Sequence, residues 1–172
     1  MRADLEIISE WIKPGSRVLD LGCGDGALLH HLQNNRDVSG YGLEIDPGNI
    51  QRCIASGVNV IQMNLDKGGL ADFETDTFDY VIMAEALQVM RRPDMLIDEM
   101  LRIGRQCIVT FPNFGHWRCR LALATGGKMP VYRSLPNQWF DTPNIHLCTV
   151  KDFEQLCTDR GIEIIKQHMA DH

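Results

Sequence analysis

No apolar run in this chain approaches the ~20 consecutive residues that a helix needs to cross a bilayer, so no helical membrane span is expected. The opening Met-Arg-Ala-Asp-Leu-Glu does not read as a signal peptide either. The six cysteines (Cys23, Cys53, Cys107, Cys119, Cys148, Cys157) form no Cys-x-x-Cys pair and lack the density of a secreted disulfide scaffold. Several lie in apolar runs, where a free thiol behaves as a small hydrophobe. Basic residues are in deficit: the formal charge of −6 argues against a general nucleic-acid or anionic-membrane binder. Repeats and low-complexity tracts are missing too. What is left is a reduced, cytoplasmic chain of 172 residues, enough for one domain with a proper core.

The hydropathy pattern alternates strand and helix, which predicts an α/β fold with a doubly wound, mostly parallel sheet. Strands are expected at 17–21, 39–44, 58–63, 78–83, 106–111 and 162–168, and helices at 5–12, from Ala27, after Asp46, at 94–103 and after Thr149. Asp46 followed by Pro47 reads as an N-cap with proline at the first helical position, and Gly57 as the stop. Ile50, Cys53 and Ile54 form that helix's apolar stripe. In the 94–103 helix Leu96, Ile97, Met100 and Leu101 are expected to face inward. Thr149 with Asp152 three residues on is a variant of the capping box. The helix it opens is expected to bury Val150, Phe153, Leu156 and Cys157.

The most informative stretch is Val18 to Gly26, Val-Leu-Asp-Leu-Gly-Cys-Gly-Asp-Gly. An apolar strand ends on a carboxylate, three alternating glycines follow, and a helix begins. Strand, glycine loop and helix in that order make a nucleotide-type site at the carboxyl end of a parallel strand. A dinucleotide site would put a pyrophosphate on the loop and helix N-terminus. This loop carries Asp20 and Asp25 and no Lys or Arg, and its spacing is not Gly-x-Gly-x-x-Gly. Two carboxylates repel a phosphate and suit a ligand with an ammonium and a sulfonium, such as S-adenosylmethionine. The alternative at this point is a tight turn without ligand.

Other strand ends supply a consistent set. Glu44, twenty residues after Gly24, is placed to accept hydrogen bonds from both ribose hydroxyls, with Ile45 beside it. Asn64 and Leu65 follow the third strand, where a side-chain oxygen and the adjacent backbone suit an adenine amino group; turn formation is the second reading of Asn64. Ala84 ends the fourth strand beside the expected position of the amino-acid tail, whose ammonium would meet Asp20. The candidate cofactor-binding residues are thus Asp20, Gly22, Cys23, Gly24, Glu44, Ile45, Asn64, Leu65 and Ala84. Catalytic residues are not identified. Glu85 is a base or a rim residue, His116 and His146 are catalytic or structural, and the His146–Cys148–Cys119 spacing fits no zinc pattern.

Residues 112–148 are different in kind. They hold four of the seven prolines, two of the three tryptophans, and Arg118, Arg120, Lys128 and Arg133 against one acid, Asp141. So long a connection is often functional, and it is expected to form a lid within a single domain of residues 1–172. That lid either packs on the sheet end alone or also contacts a substrate or partner.

The first half of the chain resembles class I methyltransferases, which implies S-adenosylmethionine or S-adenosylhomocysteine as ligand. The segment Ala84-Glu85-Ala86-Leu87-Gln88 departs from the Asp/Asn-Pro-Pro-aromatic motif of amino-group methyltransferases of nucleic acids. Asn64 stands where many methyltransferases have an acid. Phe111-Pro-Asn-Phe-Gly-His-Trp-Arg, Leu135-Pro-Asn-Gln-Trp-Phe-Asp-Thr-Pro-Asn-Ile-His-Leu-Cys-Thr and the opening Met1-Arg-Ala-Asp-Leu closely resemble the MetW family, over essentially the whole chain. That resemblance implies a role in methionine biosynthesis as accessory partner of a MetX-type homoserine O-acyltransferase. The alternative is an active methyltransferase on a small metabolite. Methyltransferase sheets usually end with a seventh, antiparallel strand; the chain stops at His172, so that strand is expected to be missing.

Overall fold

β1 (Arg17–Leu21) buries four of its five residues because it is the middle of a sheet, flanked on both sides by other strands. Its neighbours are β2 (Ser39–Glu44) and β4 (Phe78–Ala84), both parallel to it; β3 (Val60–Gln62) extends the sheet beyond β2 and β5 (Gly104–Thr110) beyond β4. The order is therefore β3-β2-β1-β4-β5. Strands are added outward in one direction from β1 to β3 and in the other from β4 to β5, so the strand order reverses between β1 and β4. Open α/β sheets bind ligands at the carboxyl side of that switch point.

This computed structural model describes residues 3–132 and 135–169. Met1, Arg2, Arg133 and residues 170–172, which entered the sequence expectations, lie outside the described residues.

The helices of the sheet region are α1 (Ala3–Trp11), α2 (Ala27–Arg36), α3 (Pro47–Ala55) and α4 (Pro93–Ile103). Local chemistry sets the start of α3: the Asp46 carboxylate accepts the Asn49 N–H at 2.8 Å and Pro47 opens the helix, as expected. Only Cys53 of its predicted stripe is buried; Ile54 is 65% exposed. On α4 the buried face is Leu96, Ile97, Met100 and Ile103 rather than Leu101. A seven-residue spacing from Leu96 returns to the same face of a helix, whereas five residues fall away from it. The core packs Ile8 of α1, Ile12 just beyond its end, and Leu28, Leu29 and Leu32 of α2 with Val18 and Ile82 of the sheet.

The chain divides into two compact units, residues 1–110 and 111–172. The first holds the whole five-stranded sheet. The second contains α5 (Trp117–Gly126) and α6 (Val150–Asp159). Asn113 joins these helix starts, its Oδ1 accepting the amides of Gly115 at 2.9 Å and Val150 at 3.3 Å. Thr149 and Asp152 form the expected capping box on α6. Of the predicted buried face of α6 only Cys157 is buried; Val150, Phe153 and Leu156 are half-buried, with Phe153 against Phe111 at 5.1 Å. The sixth strand predicted at 162–168 does not form, for those residues pair with no strand among the described residues. A β-prone run becomes a strand only where a neighbour supplies the ladder.

Candidate nucleotide site

Asp20 is the penultimate residue of β1, 3% exposed, and in register with Gly42 of β2 and Ile82 of β4. The chain then turns through Gly22 (φ 72°), Gly24 (φ 57°) and Gly26 (φ 79°). These are left-handed conformations that other residues adopt at a cost. The Leu43 carbonyl accepts both the Gly22 N–H (2.8 Å) and the Cys23 N–H (3.1 Å), which folds the loop against β2.

Glu44 completes the loop. Its Oε2 accepts the Gly24 N–H at 2.9 Å, and its Oε1 accepts the amides of Ile45 and Asp46 at 2.7 and 2.9 Å. The residue is only 8% exposed. The two carboxylate oxygens retain accepting capacity beyond these three bonds. Ile45 stands beside it with its side chain 54% exposed.

Two thiols sit beneath the loop. Cys23 Sγ lies 3.8 Å from Cys53 Sγ, and the Cys53 thiol donates to the Gly24 carbonyl at 3.2 Å. Burial pushes both thiols above their ordinary range, with the Asp20 charge adding to the effect at Cys23. Cys23 therefore contributes bulk and a backbone amide to this site, not a thiolate. The fit is tight: a Cβ on Gly42 would lie 2.3 Å from Cys23 Sγ. Cys53 read as an ordinary core residue in the sequence, because a thirty-residue separation hides its place under the loop.

At the end of β4, Ala84 is half-buried and Glu85 adopts φ 55°. The Glu85 N–H donates to the Thr110 carbonyl (3.1 Å) and hydroxyl (3.0 Å), and Gln88 Nε2 donates to the Glu85 carbonyl at 2.7 Å. Gln88 is buried, and its Oε1 has no hydrogen-bond partner among the described residues. Nothing in the sequence singled Gln88 out; a glutamine in an apolar turn was the available signal. This turn abuts the glycine loop, since a Cβ on Gly22 would meet the Ala86 Cβ at 3.3 Å.

After β3, the Asn64 Oδ1 accepts the Asp66 N–H at 3.0 Å and caps the short 3-10 turn Leu65–Lys67. Of the two readings of Asn64, the turn-forming one is thus present in the fold. Asn64 and Leu65 are both half-buried. His116 belongs to the second unit, where its ring caps α5. His146, in the same unit, is exposed. Among the described residues no three His, Cys, Asp or Glu side chains come together as a metal site.

The donor set suits a cationic nucleoside. The loop holds a buried carboxylate and a second one at its rim, with no Lys or Arg. Open space lies where a Gly24 Cβ would project, so the loop's crest is accessible.

Comparison with known proteins gives the family and the fold. The chain is 36% identical over 173 residues to the bifunctional methionine biosynthesis protein MetXA/MetW of Rhodopirellula baltica, covering 95% of this chain and 28% of that relative. It is 32% identical over 95 residues to the ubiquinone biosynthesis O-methyltransferase of Hahella chejuensis, covering 54% of this chain and 40% of that one. The chain thus spans well under half the length of either curated relative. Among solved structures it superposes on a SAM-dependent methyltransferase from Archaeoglobus fulgidus with a TM-score of 0.70 at 17% identity, covering 92% of this chain and 66% of that one. That likeness establishes the class I methyltransferase-like fold. The model of methionine biosynthesis protein MetW matches residues 2–172. With the glycine loop, the sheet order and this match in agreement, the chain belongs to the MetW family of methionine biosynthesis proteins.

Proposed function

We propose that this protein is the accessory partner of a MetX-type homoserine O-acyltransferase and holds S-adenosylmethionine or S-adenosylhomocysteine at the carboxyl ends of β1, β2 and β4. The observation that carries the partnership is the Rhodopirellula baltica relative, whose name joins MetXA and MetW functions in one chain. Fusion of two modules raises their effective concentration and is productive when they work on one task. The ligand assignment rests on Glu44, held by three amides with accepting capacity to spare for ribose hydroxyls, and on Asp20 for the ammonium. Ile45, Asn64, Leu65 and Ala84 complete the adenosine and tail positions in this reading, with Gly22, Cys23 and Gly24 supplying the loop backbone.

The deciding experiment is reconstitution. Acyltransferase from the same source is assayed with and without this protein, each with and without S-adenosylmethionine. The expected result is co-purification and a rate that depends on this protein and responds to the nucleotide. An acyltransferase that neither binds this protein nor changes rate would end the proposal. A second reading, methyl transfer to a small metabolite, draws on the accessible crest at Gly24. Formation of S-adenosylhomocysteine with cell extract as acceptor would favour it.

A further inference from the structure

In the second unit, the segment between Leu135 and Cys148 places large apolar side chains in solvent. Trp139 is 73% exposed, Phe140 70%, Ile145 57% and Leu147 47%. Of these, Trp139 and Phe140 touch one another, and large exposed apolar patches on a monomer often mark an interaction site.

The segment is held in shape. Leu135 is buried and exchanges both backbone hydrogen bonds with Tyr132, at 2.8 and 3.0 Å. At the far end the Cys148 carbonyl accepts the Phe114 N–H at 3.0 Å. Between these anchors the Gln138 carbonyl accepts the amides of Asp141 (3.3 Å) and Thr142 (3.1 Å), and Thr142 Oγ1 accepts the Asn144 N–H at 3.2 Å. Pro136 and Pro143 flank that turn and restrict its backbone. Trp139 and Phe140 stand edge to face with ring centroids 5.7 Å apart. Two stiff aromatics on a pre-shaped turn bind with little ordering cost.

We infer that the Trp139–Phe140 turn is the docking surface for the homoserine O-acyltransferase chain. This rests on the partnership proposed above, which supplies the occupant. Exposed aromatic side chains are the usual core of interface hot spots. The region from Pro112 to Cys148 has four cations to one acid in a chain of net charge −6. Its complement is an acidic surface with an apolar recess. Small-molecule sites bury most of their ligand in a concave pocket, whereas Trp139 and Phe140 are 73% and 70% exposed, which fits a macromolecular partner.

The test is titration of purified acyltransferase with the wild-type protein, with W139A/F140A, and with Ile145→Lys. The expected outcome is affinity lower by about 30-fold or more for the double variant, and weaker binding for Ile145→Lys. Wild-type binding should weaken as salt rises. Thermal midpoint and nucleotide affinity should stay at wild-type values, since these side chains are solvent-facing. Wild-type protein that binds while both variants bind equally well would overturn the docking surface and leave the partnership standing. Wild-type protein that fails to bind would overturn both. If the variants only turn a dimer into a monomer, with acyltransferase affinity unchanged, the turn is a contact between copies and the inference is wrong.

Discussion

The Gly24 amide donates to Glu44 Oε2 at 2.9 Å, joining the loop after β1 to the end of β2. Through the same carboxylate the amides of Ile45 and Asp46 are fixed, and Asp46 in turn caps α3. One side chain therefore sets the shape of the loop, the exit from β2 and the start of the next helix.

Replacing Glu44 with Ala should be costly in two separable ways. Three amides lose a charged acceptor, so stability should fall by about 2–3 kcal/mol. S-adenosylmethionine affinity should weaken by about 1–3 kcal/mol if the ribose bonds to this carboxylate. Denaturant unfolding reads the first and calorimetry the second. A variant that loses stability but keeps its affinity would confine Glu44 to a structural role.

Gly42→Ala should destabilise by about 1–3 kcal/mol, because its Cβ would drive into the Cys23 side chain. Pairing it with Cys23→Gly should recover much of the loss; Cys23→Ala should recover less, as the Cys23 Cβ is itself only 2.8 Å away. Strictly additive costs in this cycle would show that the two positions do not meet.

The buried thiols make alkaline stability predictable. Cys23, Cys53 and Cys107 are raised above the ordinary thiol value of 9.0 by burial, Cys107 to about 12. The unfolded chain releases these protons near pH 9.0 while the folded protein keeps them, so stability should decline as pH rises above 9. Cys107→Ala should flatten that decline, measured as the difference in unfolding free energy between pH 8 and 10. An equal slope in wild type and variant would rule out this source. Thiol reagents at pH 8 should label Cys23 only after denaturation.

Thr149→Ala should cost about 1 kcal/mol by removing the α6 cap. The bonds from Thr149 hold the Asp152 carboxylate below its ordinary value of 3.8. A carboxylate depressed by folding stabilises the protein above its unfolded pKa, and that contribution disappears as pH falls below 3.8. The wild type should therefore lose stability in this acid range more steeply than Asp152→Asn. Matching acid profiles would remove the box from the account.

Much of the site was legible because its signals are local. The glycine loop, the acid closing β2 and the Asp46-Pro47 start each declare themselves within a few residues. Asn64 was legible only as a pair of readings, since an asparagine oxygen serves a turn and a ligand equally well; the Asp66 amide now occupies it. Gln88 and Cys53 were missed because a buried glutamine or thiol takes its meaning from what packs around it.

Sequence by itself determined the bounds of β1 and β2, the left-handed glycine loop and the helix caps, since backbone freedom and short-range hydrogen bonds decide them. Only tertiary structure decided which of Leu101 and Ile103 faces the core and that 162–168 forms no strand, because a core face needs an opposing layer and a strand needs a neighbour. Tertiary structure likewise decided that Trp139 and Phe140 face solvent. Their apolar rings suited burial equally well, and only the anchored turn from Leu135 to Cys148 holds them outward.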